Sequence, residues 1–507
     1  MRAERLFRVL GLVDPALVEE ALAVRRRPWR RCLALAACAA LVLAIGIGRW
    51  GTGETSGSAA GGGGGPADCG FAGSAEDGAE RSFLSCAGPV MPLAALENPG
   101  PLTAERTVIW DLAPGAYFDG EPRQWGAAVT DAYVLRNPSE ADVSLTALYP
   151  FAGTLGELET LRPRVTVNGE AAEPALYAGP YSGGFQSTFG AEVPDTMNLE
   201  ELDSWTDYQT LLESGAYLEQ ALADAPVLDI PAAVYEFSDF AAPHEEYQAA
   251  TQAISFAIDP ENTTVLTYGI NGMEWDGAFR RYSYFVPDGM RNEPDCKMLI
   301  VLGEDIGPYT LQGYRDGGCD QGGEIEGVSC TVTRRETTLD AVLDQLCRYH
   351  QARYGGSFDT VPFPLYRGAA AELLEQYGLL SETPMDRYSD GRLDDILGEV
   401  LSHDRVLYLA FPLTVPAGGS AEVSCALWKA PSYDFACTGS EDEGLQAYGL
   451  AVNLGTTLPF TRQSAVLVNA EGVEITGQNF GFAPEGGTVE LDLEEAYYYL
   501  EIRPKDG

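Results

Sequence analysis

From Cys32 to Gly48 the chain runs CLALAACAALVLAIGIG, seventeen residues without a charge, behind the border RRRPWRR and ahead of Arg49-Trp50. At about 1.5 Å per residue a helix over this run spans roughly 26 Å, slightly short of the ~30 Å hydrocarbon slab of a bilayer. Arg30, Arg31 and Arg49 can snorkel to the headgroups, and Trp29 and Trp50 fall where interfacial aromatics are enriched. Five Arg between residues 25 and 31 against a single one after the run place the N-terminus in the cytoplasm. The run therefore predicts one membrane-spanning helix over 32–49, a single-pass protein of the cell membrane, and an extracellular location for everything after residue 50. Two other readings of the window stay open: a cleaved signal peptide ending at Gly46 or Gly48, and a lipoprotein box at Leu35-Ala36-Ala37-Cys38.

The charge is split by the same boundary. Residues 1–50 hold nine Arg and four acids, whereas the rest of the chain carries 23 basic against 71 acidic residues. Affinity for phosphate backbones comes from clustered Lys and Arg, so the outer part is not a nucleic-acid binder. With 45% hydrophobic residues overall, the chain has the apolar material for a packed core, and its length suggests two or three outer domains.

Cys32 and Cys38 lie in the apolar run, leaving Cys69, Cys86, Cys296, Cys319, Cys330, Cys347, Cys425 and Cys437 outside. An even number on the oxidising side predicts disulfides. Short spacing favours Cys69–Cys86, Cys319–Cys330 and Cys425–Cys437, with Cys296–Cys347 left over.

Along the chain, residues 1–31 read as a cytoplasmic stub with helical pieces over 3–10 and 15–27. Residues 50–67, Gly- and Ser-rich, read as a flexible tether. Beyond it, period-two alternation broken by turns dominates. Val143-Ser144-Leu145-Thr146 follows the turn Asn137-Pro138-Ser139-Glu140 as a half-buried hairpin, and Val165-Thr166-Val167 enters an Asn168-Gly169 turn. Ile254–Ile258 turns through Asp259-Pro260 into Thr264–Tyr268. Arg405–Phe411 and Glu422–Leu427 flank a Pro/Gly turn, and runs at 464–469, 473–476, 488–493 and 497–502 follow. Helical spacing marks Asn198–Ala223, Thr338–Tyr354, Ala369–Tyr377 and Arg392–Leu401, read as decorations on the sheets. The fold class expected is mainly β with helical insertions: two or more antiparallel β-sandwich domains outside the membrane helix. The boundaries expected are a sandwich-like domain at 68–190, a mixed β region at 191–400 and C-terminal sandwich-like strands at 401–507.

The stretches AYVLRNPSEADVSLTALYPF, TTVLTYGINGMEWDG, PLTVPAGGSAEVS and SYDFACTGSEDEGLQAYGLAVNLGTTLPF, with the stub LGLVDPALVEEA, resemble an uncharacterised group of single-pass membrane proteins of anaerobic Gram-positive bacteria. The resemblance covers most of the chain. It implies a β-rich extracytoplasmic region and brings neither an activity nor functional residues. The N-terminal arrangement also resembles that of transmembrane anti-sigma regulators, without their His/Cys zinc signature in residues 1–31.

A search for chemistry finds little. The chain has three His, at 244, 350 and 403, and lacks G-x-S-x-G, H-E-x-x-H and phosphate-loop motifs. Asp316, Asp320, Glu324 and Glu326 crowd a Gly-rich loop and Glu441-Asp442-Glu443 form a second cluster, both without calcium-loop spacing. Trp205, Trp275 and Trp428 are candidates for stacking on sugars. No catalytic, cofactor-binding or metal-ligating residue is singled out, and no cofactor is expected. The chain reads as a non-catalytic, membrane-anchored extracytoplasmic binding or interaction protein with a protein or glycan ligand. Its alternatives are a transmembrane sensor signalling through 1–31 and a cell-envelope hydrolase with dispersed acids.

Overall fold

The computed structural model describes residues 85–86, 88–112, 126–181, 213, 218, 221–222, 224–243, 250–286, 296–376, 378–381, 391–402, 404–434 and 444–505. The stub 1–31, the span 32–49 and the tether 50–67 lie outside them. So do Cys69, Cys437, the Cys86 side chain, Trp205, His244, His403, Glu441-Asp442-Glu443 and most of 198–223. Among the described residues, no helix is long and apolar enough to cross a membrane.

The described part is mainly β, arranged in five sheets. The largest has seven strands in the order Gly487–Leu491, Phe460–Val468, Thr103–Asp111, Ala127–Arg136, Ser420–Lys429, Arg164–Val167 and Glu170–Ala172. Thr103–Asp111 shows why it is a strand: Ala104, Arg106, Val108 and Trp110 alternate inward while Glu105, Thr107 and Ile109 point out. The last hairpin of this sheet turns at Asn168 and Gly169, both at positive φ (53° and 81°), as the Asn-Gly pair predicts. Within this sheet the strand pairings are antiparallel except that of Phe460–Val468 with Thr103–Asp111. These two strands are far apart in sequence, so no tight turn dictates their relative direction.

The inward face of this sheet is covered by two others. At one end Val108, Trp110, Val129, Ala465 and Leu467 share a core with Tyr448, Leu450, Leu500 and Ile502, which belong to a five-stranded sheet. At the other end Ala104, Leu135, Val165, Val423 and Leu427 pack with Leu145, Tyr149, Leu407, Leu409 and Phe411 of a four-stranded sheet. The hairpin expected around 137–140 is therefore a crossing instead. Ala127–Arg136 and Val143–Thr154 lie in different sheets, and Asp404–Val415 and Ser420–Lys429 divide in the same way. The two crossings lie side by side. Asn137 donates from Nδ2 to the carbonyls of Ala141 and Val415, and its own N–H reaches the Gly419 carbonyl. Strands from either side of 190 and of 401 share these sheets.

Residues 231–338 supply the other two sheets. Pro231–Ala241, Thr263–Tyr268, Lys297–Gly303 and Ser329–Thr338 form one, and the strand Thr251–Ala257 with its neighbours forms the other. Tyr235, Phe237, Leu299 and Val301 meet Ile254, Phe256, Tyr282 and Tyr284 between them. Lys297–Gly303 is absent from the sequence reading because its unbroken run Met-Leu-Ile-Val-Leu does not alternate. Such a run belongs to a strand buried on both faces, and this strand packs on the other face against helices.

The helices are core rather than decoration. α1 (Leu339–Tyr354), α2 (Phe363–Gln376) and α3 (Leu393–Glu399) bury Leu339, Val342, Leu343, Leu346, Leu373, Leu374, Ile396 and Leu397 in one cluster with both four-stranded sheets. A helix can bury one stripe against each of two neighbours, and the Leu/Val stripe of α1 carries no polar interruption on that side. Thr338 caps α1 by accepting the Ala341 N–H at 3.3 Å. Thr338→Ala is expected to cost about 1 kcal/mol, read as a lower urea midpoint at unchanged m-value.

The described cysteines correct the disulfide expectation: Cys296, Cys319, Cys330, Cys347 and Cys425 are free. Cys319 packs with Ala253 and Tyr314, whereas Cys330 lies against the core that holds Ile254. Side chains of adjacent strand residues point to opposite faces, so strand Thr251–Ala257 separates the two thiols. The Tyr349 hydroxyl accepts the Cys296 N–H, and Cys347, two residues away on α1, points elsewhere into the core. Cys425 is buried beside Asp131, away from the surface. Burial pushes the Cys296 thiol up to about 11 and that of Cys347 up to about 12.

Candidate functional site

The residues singled out in the sequence do not converge. Asp316 and Glu324 accept N–H groups of their own loop, from Gly318 and Gly322. Among the described residues, no group of three or more His, Cys, Asp or Glu could hold a metal. Trp428 is buried against Ala128, while Trp275 is 63% exposed at a hairpin tip beside the Arg280 guanidinium. His350 is buried in a ring cluster with Tyr354 and Phe358, and its Nδ1 is 3.2 Å from the Tyr268 hydroxyl.

Among the deeply buried charged groups are two arginines. At the seam between the two cores under the seven-stranded sheet, Arg106 donates from Nε and Nη2 to both oxygens of Asp131 (2.8 and 2.7 Å). Its Nη1 reaches the Ala451 carbonyl and Gln463 Oε1, and Tyr133 donates to Asp131 while accepting the Leu93 N–H. Burial alone would lower the Arg106 pKa; the adjacent Asp131 carboxylate more than reverses this. With all three guanidinium nitrogens bonded, this network reads as a structural joint. The second, Arg405, has no exposure and meets Glu372 at 3.0 Å, closed off from solvent and ligand alike.

The outward face of the seven-stranded sheet differs in kind. Its register sets Ser464 beside Thr107, Thr107 beside Ala132, Ala132 beside Ser424, and Ser424 beside Thr166. Five strands thus contribute one row of hydroxyls with a methyl at its middle, and Thr107 Oγ1 lies 3.0 Å from Ser464 Oγ. At about 4.8 Å per strand the row extends roughly 19 Å. One step along the strands a second row follows. Arg462 stands beside Glu105, and Glu105 and Glu422 both stand opposite Val134. Two matching pairs, Glu105 with Thr107 and Glu422 with Ser424, therefore sit at equal height on either side of the central strand.

The short side chains of Thr107, Ala132, Ser424 and Thr166 leave a trough of about 250 Å³, walled by Glu105, Val134 and Glu422 and closed at one end by Gly169. Glu105 is held by Arg136 at 3.1 Å. The Glu422 carboxylate makes no ion pair among the described residues, while its backbone N–H is fixed by Asn168 Oδ1 at 2.9 Å. Of the lining residues, Tyr133 and Val423 turn their side chains into the core beneath, and the others belong to none of the apolar cores.

No protein-family model matches the chain, and no curated protein matches it. The chemistry of the site has to come from its own side chains. Sequence reasoning missed every one of these residues as a site. The available signal was the repeated Glu-x-Thr and Glu-x-Ser at 105–107 and 422–424, pairs that gain meaning only once their strands flank a common neighbour.

Proposed function

We propose that the chain is a membrane-anchored extracytoplasmic binding protein whose stacked sheets form a β-sandwich scaffold and whose ligand lies on the open face of the seven-stranded sheet. The apolar run at 32–49 is the anchor in this reading. The observation that carries the reading is the trough: a polar, small-floored depression on rigid central strands. Sites on strands hold their geometry better than sites on loops. The floor has hydroxyls rather than a nucleophile with a partnered base, and the depression is too shallow to keep water from a reacting bond, so retention of a ligand is favoured over its hydrolysis.

The test uses the full-length protein in detergent micelles, presented with solubilised envelope polysaccharides and secreted proteins. Ala132→Arg fills the trough from a half-buried, outward position and leaves the cores intact. Binding to wild type that drops at least tenfold in Ala132→Arg is the expected result. A ligand held equally well by both proteins removes the reading.

A further inference from the structure

Resting on the reading of the trough as the binding surface, we propose that its ligand is a linear, uncharged glycan lying across the strands. Successive rings sit over Thr166, Ser424, Ala132 and Thr107, and Glu105 and Glu422 accept hydroxyl protons along one edge of the chain. The argument starts from direction. The hydroxyl row runs perpendicular to the strands and advances by one strand spacing, about 4.8 Å, per position. A linear β-linked pyranose chain advances by a similar length per ring, so ring and strand stay in step. The matched pairs Glu105/Thr107 and Glu422/Ser424 then offer the same hydrogen-bonding set twice, two strands apart, which suits a repeating polymer better than a ligand without a repeat.

Chemistry narrows the choice further. A hydroxyl both donates and accepts and a carboxylate accepts only, so this surface complements vicinal hydroxyls, which also do both. Anionic polymers are opposed by Glu105, Glu422 and the 71 acids of the outer part. An extended peptide pairs along a sheet edge through its backbone, whereas the backbone groups of these central strands are already engaged in their ladders. The Ala132 methyl at the middle of the row gives a ring an apolar spot to rest on without blocking its path. Tyr133, the aromatic residue among those lining the trough, turns its ring into the core, so affinity accumulates through hydrogen bonds and grows with chain length.

The experiment is calorimetric titration of the full-length protein in detergent with β-1,4-linked oligomers of N-acetylglucosamine and of glucose, from disaccharide to hexasaccharide. Affinity for at least one series is expected to rise with length until the row is covered and then level off. Ser424→Ala and Thr166→Val are each expected to weaken binding of the longer oligomers roughly fivefold, the scale of one net hydrogen bond. Val227→Thr, exposed and outside the trough, is expected to leave it unchanged. Absence of binding by both series, or binding independent of length and of these hydroxyls, overturns the glycan assignment. If a different ligand is still lost in Ala132→Arg, the trough remains the binding surface. If no ligand responds to Ala132→Arg, both conclusions fall together.

Discussion

Asp131→Ala is expected to lower folding stability by about 3–5 kcal/mol, because it leaves the Arg106 guanidinium buried and without its counter-charge. Desolvating a lone cation is the dominant cost; the lost bonds from Arg106 Nε, Arg106 Nη2 and the Tyr133 hydroxyl add to it. Arg106→Met alone is expected to behave similarly by stranding the Asp131 carboxylate. The double variant Arg106→Met/Asp131→Leu removes both charges and should recover most of the loss. Recovery stays incomplete because the Ala451 carbonyl and Gln463 lose a donor. Urea unfolding of the three variants decides the matter: an Asp131→Ala cost under about 1 kcal/mol, the usual worth of an exposed pair, is incompatible with the network described.

The second large effect is pH-dependent. Burial lowers the His350 pKa from 6.5 to about 4, so between these values the unfolded chain binds a proton that the folded chain refuses. The stability carried by neutral His350 is fully present above about pH 6.5 and is lost as the pH falls toward 4, by about 3 kcal/mol in all. Burial raises the carboxyl pKa of Glu372 and of Asp394, the latter against Arg392 and Lys297. These two act in the opposite sense, since a folded carboxyl that holds its proton more tightly gains stability on acidification. The clean observable is therefore a difference: stability against pH for wild type minus that for His350→Phe. The difference should slope between pH 4 and 6.5 and be flat from 7 to 8. A flat difference throughout would show that the imidazole reaches solvent.

How much of this was legible varies by element. The Asn168-Gly169 hairpin was readable because two adjacent positive-φ residues are needed and the sequence supplies the pair that adopts them most easily. α1 was readable to within a residue, since Leu339, Val342, Leu343 and Leu346 repeat at helical spacing behind a Thr cap. Lys297–Gly303 was not, because burial on both faces erases the alternation that marks a strand. The expected Cys319–Cys330 bridge failed for a related reason. Spacing along the chain says nothing about which face of a sheet a thiol takes, and Cys319 and Cys330 take opposite ones.

The sequence by itself determined the local elements: the alternating strands, the three helical stripes, the turns and the polar outward faces, all of which depend on neighbours a few positions apart. Only the tertiary structure decided that Val143–Thr154 and Asp404–Val415 pair with each other, that Arg106 and Asp131 meet at a seam, and that Glu105 and Glu422 flank Val134. Residues more than 250 positions apart are joined by register, and register is set by which apolar faces must be buried together, a property of the whole chain rather than of any segment within it.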